Sequence, residues 1–244
     1  MSDLQALRQK NIERTRTLVR ESVNPDLFIL NAVNNIEDLQ RIENLLVKRL
    51  REWYALYFPE SEKNLPVNPE FLMHVLMGDK HKSMGEMGLK DSMGADLGKK
   101  ELEEIKKLAT AIEKIYQEEK HLSNYLNDTM LAHCPNLHAV AGHTIGAKLM
   151  RGAGSLKKLA MMRSSTIQLI GAEKALFRHI RTGAKPPKYG YLLQHPIVQR
   201  SKKEDRGRAA RMLADKIFIA ARVDYFKGKF IGDDLIKEVE VKFK

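Results

Sequence analysis

From Ile29 the apolar residues of the chain fall at Val33, Ile36, Leu39, Ile42, Leu46, Leu50, Trp53 and Tyr57, eight intervals averaging 3.5 residues. That is the period of a coiled-coil seam, not of a globular helix stripe. The start of this helix is marked by Asn24 as a cap, Pro25 at the first helical position and Asp26 favouring the positive end of the dipole. Its end is expected near Phe58-Pro59. "NPEFLMH" repeats the device with Asn68, Pro69 and Glu70 and opens a short second helix. From Glu101 the seam resumes through Ile105, Leu108, Ile112, Ile115, Leu122 and Leu126. Two long helices joined in this way make an antiparallel hairpin.

Between them lies "MGDKHKSMGEMGLKDSMGADLG", residues 77–98, with five of the fifteen glycines and four Met-Gly pairs. Glycine disfavours a helix interior by about 1 kcal/mol each, so this stretch reads as a flexible, loosely ordered tip. Its methionines would give an adaptable contact surface, suited to a second copy of the chain.

The seam runs out near Met130 and shorter, glycine-punctuated helices follow. Ser201 and Glu204 have the spacing of a capping box. The helix it opens, to about Asp224, has Ala209, Ala210, Leu213, Ile217, Ala220 and Ala221 as its buried face and Arg208, Arg211, Asp215 and Arg222 opposite. "GAEKALFR" is also amphipathic. Lys174, Arg178 and Arg181 share one stripe, and Leu176, Phe177 and Ile180 lie opposite, where they are expected to pack on the body of the protein. The pattern predicts an all-α protein: a long antiparallel coiled-coil hairpin over residues 1–130, then a compact helical domain over 131–244.

With 244 residues, 43% of them hydrophobic, the chain can bury a real core. No stretch approaches the roughly 18 consecutive apolar residues of a membrane span. The charged N-terminus is not a signal peptide. The one cysteine, Cys134, cannot form an internal disulfide, which fits a reducing compartment. The net charge of +11 is unevenly spread: residues 1–130 hold 19 Lys and Arg against 22 Asp and Glu, and residues 131–244 hold 23 against 9. Such asymmetry points the second half at a polyanion.

Candidate chemistry is sparse. His133, Cys134, His138 and His143 supply four donors within eleven residues, but one sulfur and uneven spacing fit no common zinc pattern. Gly142, Gly146 and Lys148 do not have P-loop spacing, and no nucleophile elbow is present. No catalytic residue, metal or cofactor is expected. What remains is basic surface with aromatics set in it. "GAKPPKYGYLLQHP" carries Lys185, Lys188, Tyr189 and Tyr191 around a stiff Pro-Pro pair, the combination that neutralises phosphate and stacks on looped bases. One of the two tyrosines is expected to face the core.

"NLHAVAGHTIGAKLMRGAGSLKKLA", "STIQLIGAEKALFR", "PKYGYLLQHPIVQ" and "RGRAARMLADKIFIAARVDYF" together resemble the NOP domain of box C/D small ribonucleoprotein core proteins, archaeal and nucleolar. The upstream seam resembles their coiled coil. Met161-Met162-Arg163 departs from the family's usual Lys-x-Pro. The resemblance implies a non-catalytic scaffold supporting RNA 2′-O-methylation, cytoplasmic in an archaeon and nucleolar in a eukaryote. Its implied partners are a box C/D guide RNA, the ribosomal-type protein that binds the RNA kink-turn, and a second copy through the coiled coil. Fibrillarin, the methyltransferase, is implied only if the family's N-terminal domain accompanies the chain, which here starts just before the coiled coil. Carried over by motif, the RNA contacts are Lys174, Arg178, Arg181, Lys185, Lys188, Arg206 and Arg208, and Gly171, Ala172, Glu173 and Tyr189 form the mixed protein–RNA edge. The alternative is a general RNA-binding module acting without a protein co-partner.

Overall fold

The computed structural model describes residues 2–78 and 80–243, the side chains of Ser2, His81 and Glu86 excepted. Asp79, part of the expected tip, lies outside the described residues. Among the described residues there are thirteen α-helices, one 3-10 turn at Tyr191–Gln194 and no strand, so the chain is all-α. In the first half come α1 (Ser2–Glu21), α2 (Pro25–Tyr54), α3 (Glu60–Asn64), α4 (Asn68–Met77), α5 (Lys80–Glu86) and α6 (Lys99–His133). The second half holds α7 (Pro135–Ala153), α8 (Leu156–Met161), α9 (Ser164–Leu169), α10 (Glu173–Thr182), α11 (Pro196–Arg200), α12 (Arg206–Tyr225) and α13 (Gly232–Lys242). Two compact units result: Asn34–Leu122, and the residues up to Val33 together with those from Ser123 onward. None of the described helices is long and apolar enough to cross a membrane.

In the unit Asn34–Leu122, α2 and α6 meet along a heptad seam on which Ile36, Leu50, Ile105 and Ile112 are buried as expected. Val47, Tyr54 and Ala109 are buried with them, whereas Ile42 and Trp53, also expected on the seam, are exposed. Counted back from Tyr54 in alternating intervals of four and three, the seam passes through Gln40 and Glu43. Gln40 is exposed at the seam's edge, where its Nε2 donates to Glu119 Oε1 at 2.8 Å, and Glu43 is half-buried. Burial, and next the charge of Glu119, push the Glu43 carboxyl above its ordinary value. The apolar neighbours Leu39, Ile42 and Leu46 lie one position off this seam, which is why a pattern of apolar residues drifts there.

The glycine- and methionine-rich segment also differs from a loose tip, because α5 forms inside it. His74 of α4 joins the pieces, with Nε2 3.3 Å from the Tyr54 hydroxyl, Nδ1 3.3 Å from Ser83 Oγ, and its ring stacked on Phe58. The Glu60 carboxylate accepts from Ser92 Oγ and the Met93 N–H, both at 2.8 Å. Met84 and Met87 pack against the core, while Met77 and Met93 are exposed.

The other unit is built on α12. Its inner face, Ala209, Ala210, Leu213, Ala214, Ile217, Ala220 and Ala221, is buried as the pattern required, and its small side chains let α7, α8 and α9 approach closely. At its far end the Asp224 carboxylate accepts from the N–H groups of Asn136 and Leu137 at 3.1 and 2.8 Å, capping the positive end of α7. The expected capping box is absent. Ser201 Oγ donates to the Ile197 carbonyl of α11 instead, and α12 begins two residues beyond Glu204 with Asp205 as its cap residue.

A second staple is centred on Asp26. One carboxylate oxygen lies 2.7 Å from His133 Nε2 and the other accepts from the Leu156 N–H at 2.9 Å, fixing the start of α2 to the end of α6 and the start of α8. Burial alone would raise this carboxyl. The His133 hydrogen bond, the Leu156 amide and the charge of His133 outweigh it and hold the group below its usual value.

These two carboxylates link stability to pH with opposite signs. Asp26, depressed in the folded state, contributes stability above its unfolded pKa of about 3.9 that is lost as pH falls through the folded value. Glu43, raised in the folded state, costs stability at neutral pH, and protonation relieves that cost as pH falls through its folded value, above about 4.3. Glu43→Gln is therefore expected to raise the melting midpoint at pH 7 by about 2–4 °C and Asp26→Asn to lower it by at least as much. Thermal melts followed by circular dichroism at pH 7 and pH 4 check both signs, since each difference should shrink at the lower pH.

Candidate nucleic-acid interface

The basic segment of the second half is positioned by a close backbone approach. After α9 the chain turns through Ile170 and Gly171, forms α10, and returns along residues 183–190 to lie beside α9. Three hydrogen bonds hold the return: Gly190 N to Gln168 O and Tyr191 N to Ile170 O, both 2.9 Å, and Gln168 Nε2 to the Lys188 carbonyl at 2.6 Å. The contact at Gly190 tolerates no side chain, because an added Cβ would sit 1.9 Å from the Ile170 carbonyl oxygen. Gly171, at φ +89°, leaves room for the Tyr191 ring, which an added Cβ would approach to 2.8 Å. Tyr191 accepts from Arg151 at 2.9 Å and is thereby fixed in the scaffold, while Tyr189 is half-buried.

This arrangement opens a groove of about 620 Å³ between α9, the Pro186–Pro187 loop and the start of α12. Ser165, Gln168 and Leu169 line one wall, Lys185 and Lys188 the loop side, and Gly207, Arg208 and Arg211 the α12 side, with Glu204 the one acidic lining residue. The Lys188 stem runs past Gly207, at a distance where even an added Cβ would make only ordinary contact.

Of the residues expected to contact RNA, Lys185, Lys188 and Arg208 meet in this groove. Arg208 forms an ion pair with Asp205. Arg206 is engaged elsewhere. Its Nε donates to the Ser201 carbonyl at 3.3 Å and its Nη2 to the Gln199 carbonyl at 3.2 Å, closing the end of α11. Lys174, Arg178 and Arg181 are exposed on α10, outside the groove lining. At the mixed edge, Glu173 Oε1 accepts from the Gly171 N–H at 2.7 Å and Ala172 is the cap residue of α10. Arg163, in place of the usual Lys-x-Pro, caps α9 and is exposed. Arg211 was visible in the sequence as part of the α12 stripe, but only the fold shows that it borders the groove.

One expectation is overturned on α10. Its apolar stripe does not pack on the body of the protein. No residue of the helix is buried, and Phe177 and Ile180 are 63% and 69% exposed. The helix is held at its ends instead, by Gly171 and Glu173 at the start and by a His179 Nδ1 contact to the Ala184 carbonyl at the finish. The cationic stripe and, apart from the half-buried Leu176, the apolar one face water.

The His/Cys residues are taken up by structural contacts, with the His138 and His143 rings stacked at 6.4 Å between centroids. His133 meets Asp26, His138 Nε2 lies 2.8 Å from Asn127 Oδ1, and His143 Nε2 is 3.4 Å from Ser123 Oγ. Cys134 is buried, and burial, with the charges of Asp224 and Asp26, pushes its thiol well up. Among the described residues no three His, Cys, Asp or Glu side chains are grouped to hold a metal ion.

The family described as Nop, "snoRNA binding domain, fibrillarin", matches residues 35–244. The chain belongs to the Nop family. It is 40% identical over 230 residues to an uncharacterized NOP5 family protein of Methanocaldococcus jannaschii, covering 88% of this chain and 55% of that one. It is 34% identical to nucleolar protein 56 of Schizosaccharomyces pombe, covering 87% of this chain and 47% of the relative. The chain thus spans about half the length of the curated relatives it matches. Among solved structures, a chain of a fibrillarin/Nop5p complex shares the fold at a TM-score of 0.58 and 21% identity, over 98% of this chain and 77% of that one. The groove and α10 both lie within the Nop-matched residues, so the basic surface is part of a domain described as snoRNA-binding.

The close approach at Gly190 gives a local test. Gly190→Ala is expected to unseat the 183–190 return without unfolding α12. Limited trypsinolysis should then cut after Lys188 at least about tenfold faster than in the wild type. Cleavage after Lys185 stays blocked by Pro186.

Proposed function

We propose that this Nop-family chain is a non-catalytic scaffold of box C/D guide ribonucleoproteins. In this reading it binds kink-turn RNA jointly with the ribosomal-type protein seated on that RNA and thereby supports ribose 2′-O-methylation by a partner methyltransferase. The observation that carries the reading is α10, with its cationic stripe and Phe177 and Ile180 of its apolar stripe in solvent. Phosphate is met by charge, which Lys174, Arg178 and Arg181 supply, and although an aromatic ring can stack on an unpaired base, the aliphatic Ile180 beside Phe177 offers no ring for that. Phe177 and Ile180 exposed beside those cations suit a surface that is part RNA and part protein, with aromatic and aliphatic anchors covered by the protein. The groove cations Lys185, Lys188 and Arg208 extend the RNA side, and Arg206 acts by positioning α11.

Self-pairing through the hairpin belongs to the same proposal. Ile42, Leu45 and Trp53 lie on the outside of α2 and Leu56 in the turn just after it, 39–59% exposed, an apolar surface suited to a second copy. Fibrillarin is the named partner of Nop5p in the solved relative. For this chain, its recruitment is part of the proposal wherever the family's further domain accompanies the residues described.

A gel shift with kink-turn RNA, bare and preloaded with its kink-turn protein, tests the reading. Binding is expected on the preloaded RNA and much weaker binding on the bare RNA. Equal binding to both, with a steep salt dependence, would instead identify a general RNA-binding module. Arg178→Glu and Phe177→Ala are each expected to weaken the preloaded complex by about tenfold or more, and neither touches the core. Phe177→Ala should leave any residual binding to bare RNA unchanged.

A further inference from the structure

Two recesses meet on α12. The first is the groove already described, with Leu169 and the Pro186–Pro187 pair as its apolar part. The second, about 570 Å³, is lined by Arg208, Arg211, Met212, Asp215, Lys242 and Phe243, joining α12 to the end of α13. Arg208 and Arg211 border both recesses, so two guanidinium groups one helical turn apart separate two adjacent hollows. Arg208 is engaged by Asp205, whereas Arg211 has no carboxylate within ion-pair distance among the described residues. Lys242 is exposed at the far rim and Phe243 is half-buried beside it.

Each hollow is lined by cations and apolar side chains together, with one carboxylate in each, Glu204 in the first and Asp215 in the second. Duplex RNA presents phosphates outward and keeps its bases stacked within, so it would meet Arg211 but make no use of Met212 or Phe243. An unpaired nucleotide uses both kinds of group, its phosphate on the guanidinium and its base on the apolar surface. The volumes lie in the range of pockets that enclose one small ligand, which is room for a nucleotide and not for a helix.

We propose that the two recesses hold successive unpaired nucleotides of an RNA strand flanking the kink-turn. Arg211 bridges their phosphates and Phe243 stacks on the base in the second hollow. This rests on the reading of the surface as an RNA interface and adds to it a single-strand track that reaches α13.

The test uses the full chain and kink-turn RNA preloaded with its kink-turn protein, in three forms: blunt-ended, with a short 5′ uridine tail, and with a short 3′ uridine tail. Fluorescence anisotropy at fixed salt reads the affinities. One tailed RNA is expected to bind about tenfold tighter than the blunt RNA, a gain of the size that stacking gives. Phe243→Ala and Arg211→Gln should each remove most of that gain, Phe243→Tyr should keep it, and Phe243→Ala should leave affinity for the blunt RNA unchanged. Equal affinity for blunt and both tailed forms overturns the inference, and so does a gain that survives Phe243→Ala. Should that variant melt below the wild type, Arg211→Gln, on the exposed face of α12, carries the same comparison. Failure of the wild type to bind even the blunt preloaded RNA overturns the interface reading itself, and this inference with it.

Discussion

The basic surface depends on one steric constraint, the approach of the Gly190 backbone to the Ile170 carbonyl. Because nothing larger than hydrogen fits there, the return from α10 lies flat against α9 and its polar backbone is satisfied by Gln168 and Ile170. Lys185 and Lys188 then stand opposite Arg208 and Arg211 across a groove whose width is set by a rigid contact. Pro186 and Pro187 limit the remaining freedom of the loop. Charges that would repel one another in a loose loop are held at fixed positions, so little further ordering is required when an anion binds.

The register of the hairpin shows where a sequence pattern misleads. Counting apolar residues selects Leu39, Ile42 and Leu46, since each is apolar and near the right phase. By heptad spacing Gln40 and Glu43 take the intervening seam positions, Gln40 exposed and bonded to Glu119, Glu43 half-buried, while Ile42 and Trp53 face outward. A half-buried carboxylate at a seam position lowers stability and disfavours slipped alignments that would bury it against aliphatic side chains. The outward residues leave apolar surface on the outer face of α2. The 3.5-residue period and the phase at Ile36 and Leu50 were legible in the sequence, but the phase between them was not, since polar residues at seam positions are invisible to a count of apolar ones.

Other features were legible because their cause is local. The inner face of α12 follows from alanine and leucine at helical spacing, and the helix beginning at Pro25 follows from Asn-Pro-Asp, with the Leu27 N–H reaching Asn24 Oδ1 at 3.4 Å. Features decided by tertiary partners were not. Ser201 and Glu204 have capping-box spacing, yet the Ser201 hydroxyl is taken by the Ile197 carbonyl and the Arg206 guanidinium by the carbonyls of Gln199 and Ser201. A cation near a basic patch reads as a ligand contact in sequence until the carbonyls it serves are seen. The motif resemblance singled out the region that holds the groove, while the division of its arginines between lining that groove and bracing α11 needed the fold.

The amphipathic character of α10 was plain from "GAEKALFR", but amphipathicity does not say what covers the apolar side. The usual inference, that the body of the protein does, fails because the helix is fixed at its two ends and carries no buried residue. Leaving Phe177 and Ile180 in water costs about 1.5–3 kcal/mol for each side chain relative to burial. Folding leaves Phe177 and Ile180 63% and 69% exposed, so most of that stabilisation is left for binding to recover. A cationic stripe beside them ensures that a purely apolar partner is also a poor fit, because covering the helix would then strand Lys174, Arg178 and Arg181 without solvent or counter-charge. The two stripes are satisfied together only by a surface that is anionic along one edge and apolar along the other. In the proposed assembly RNA would supply the first edge and a protein bound to it the second, and α10 would then discriminate the assembled pair from either component alone.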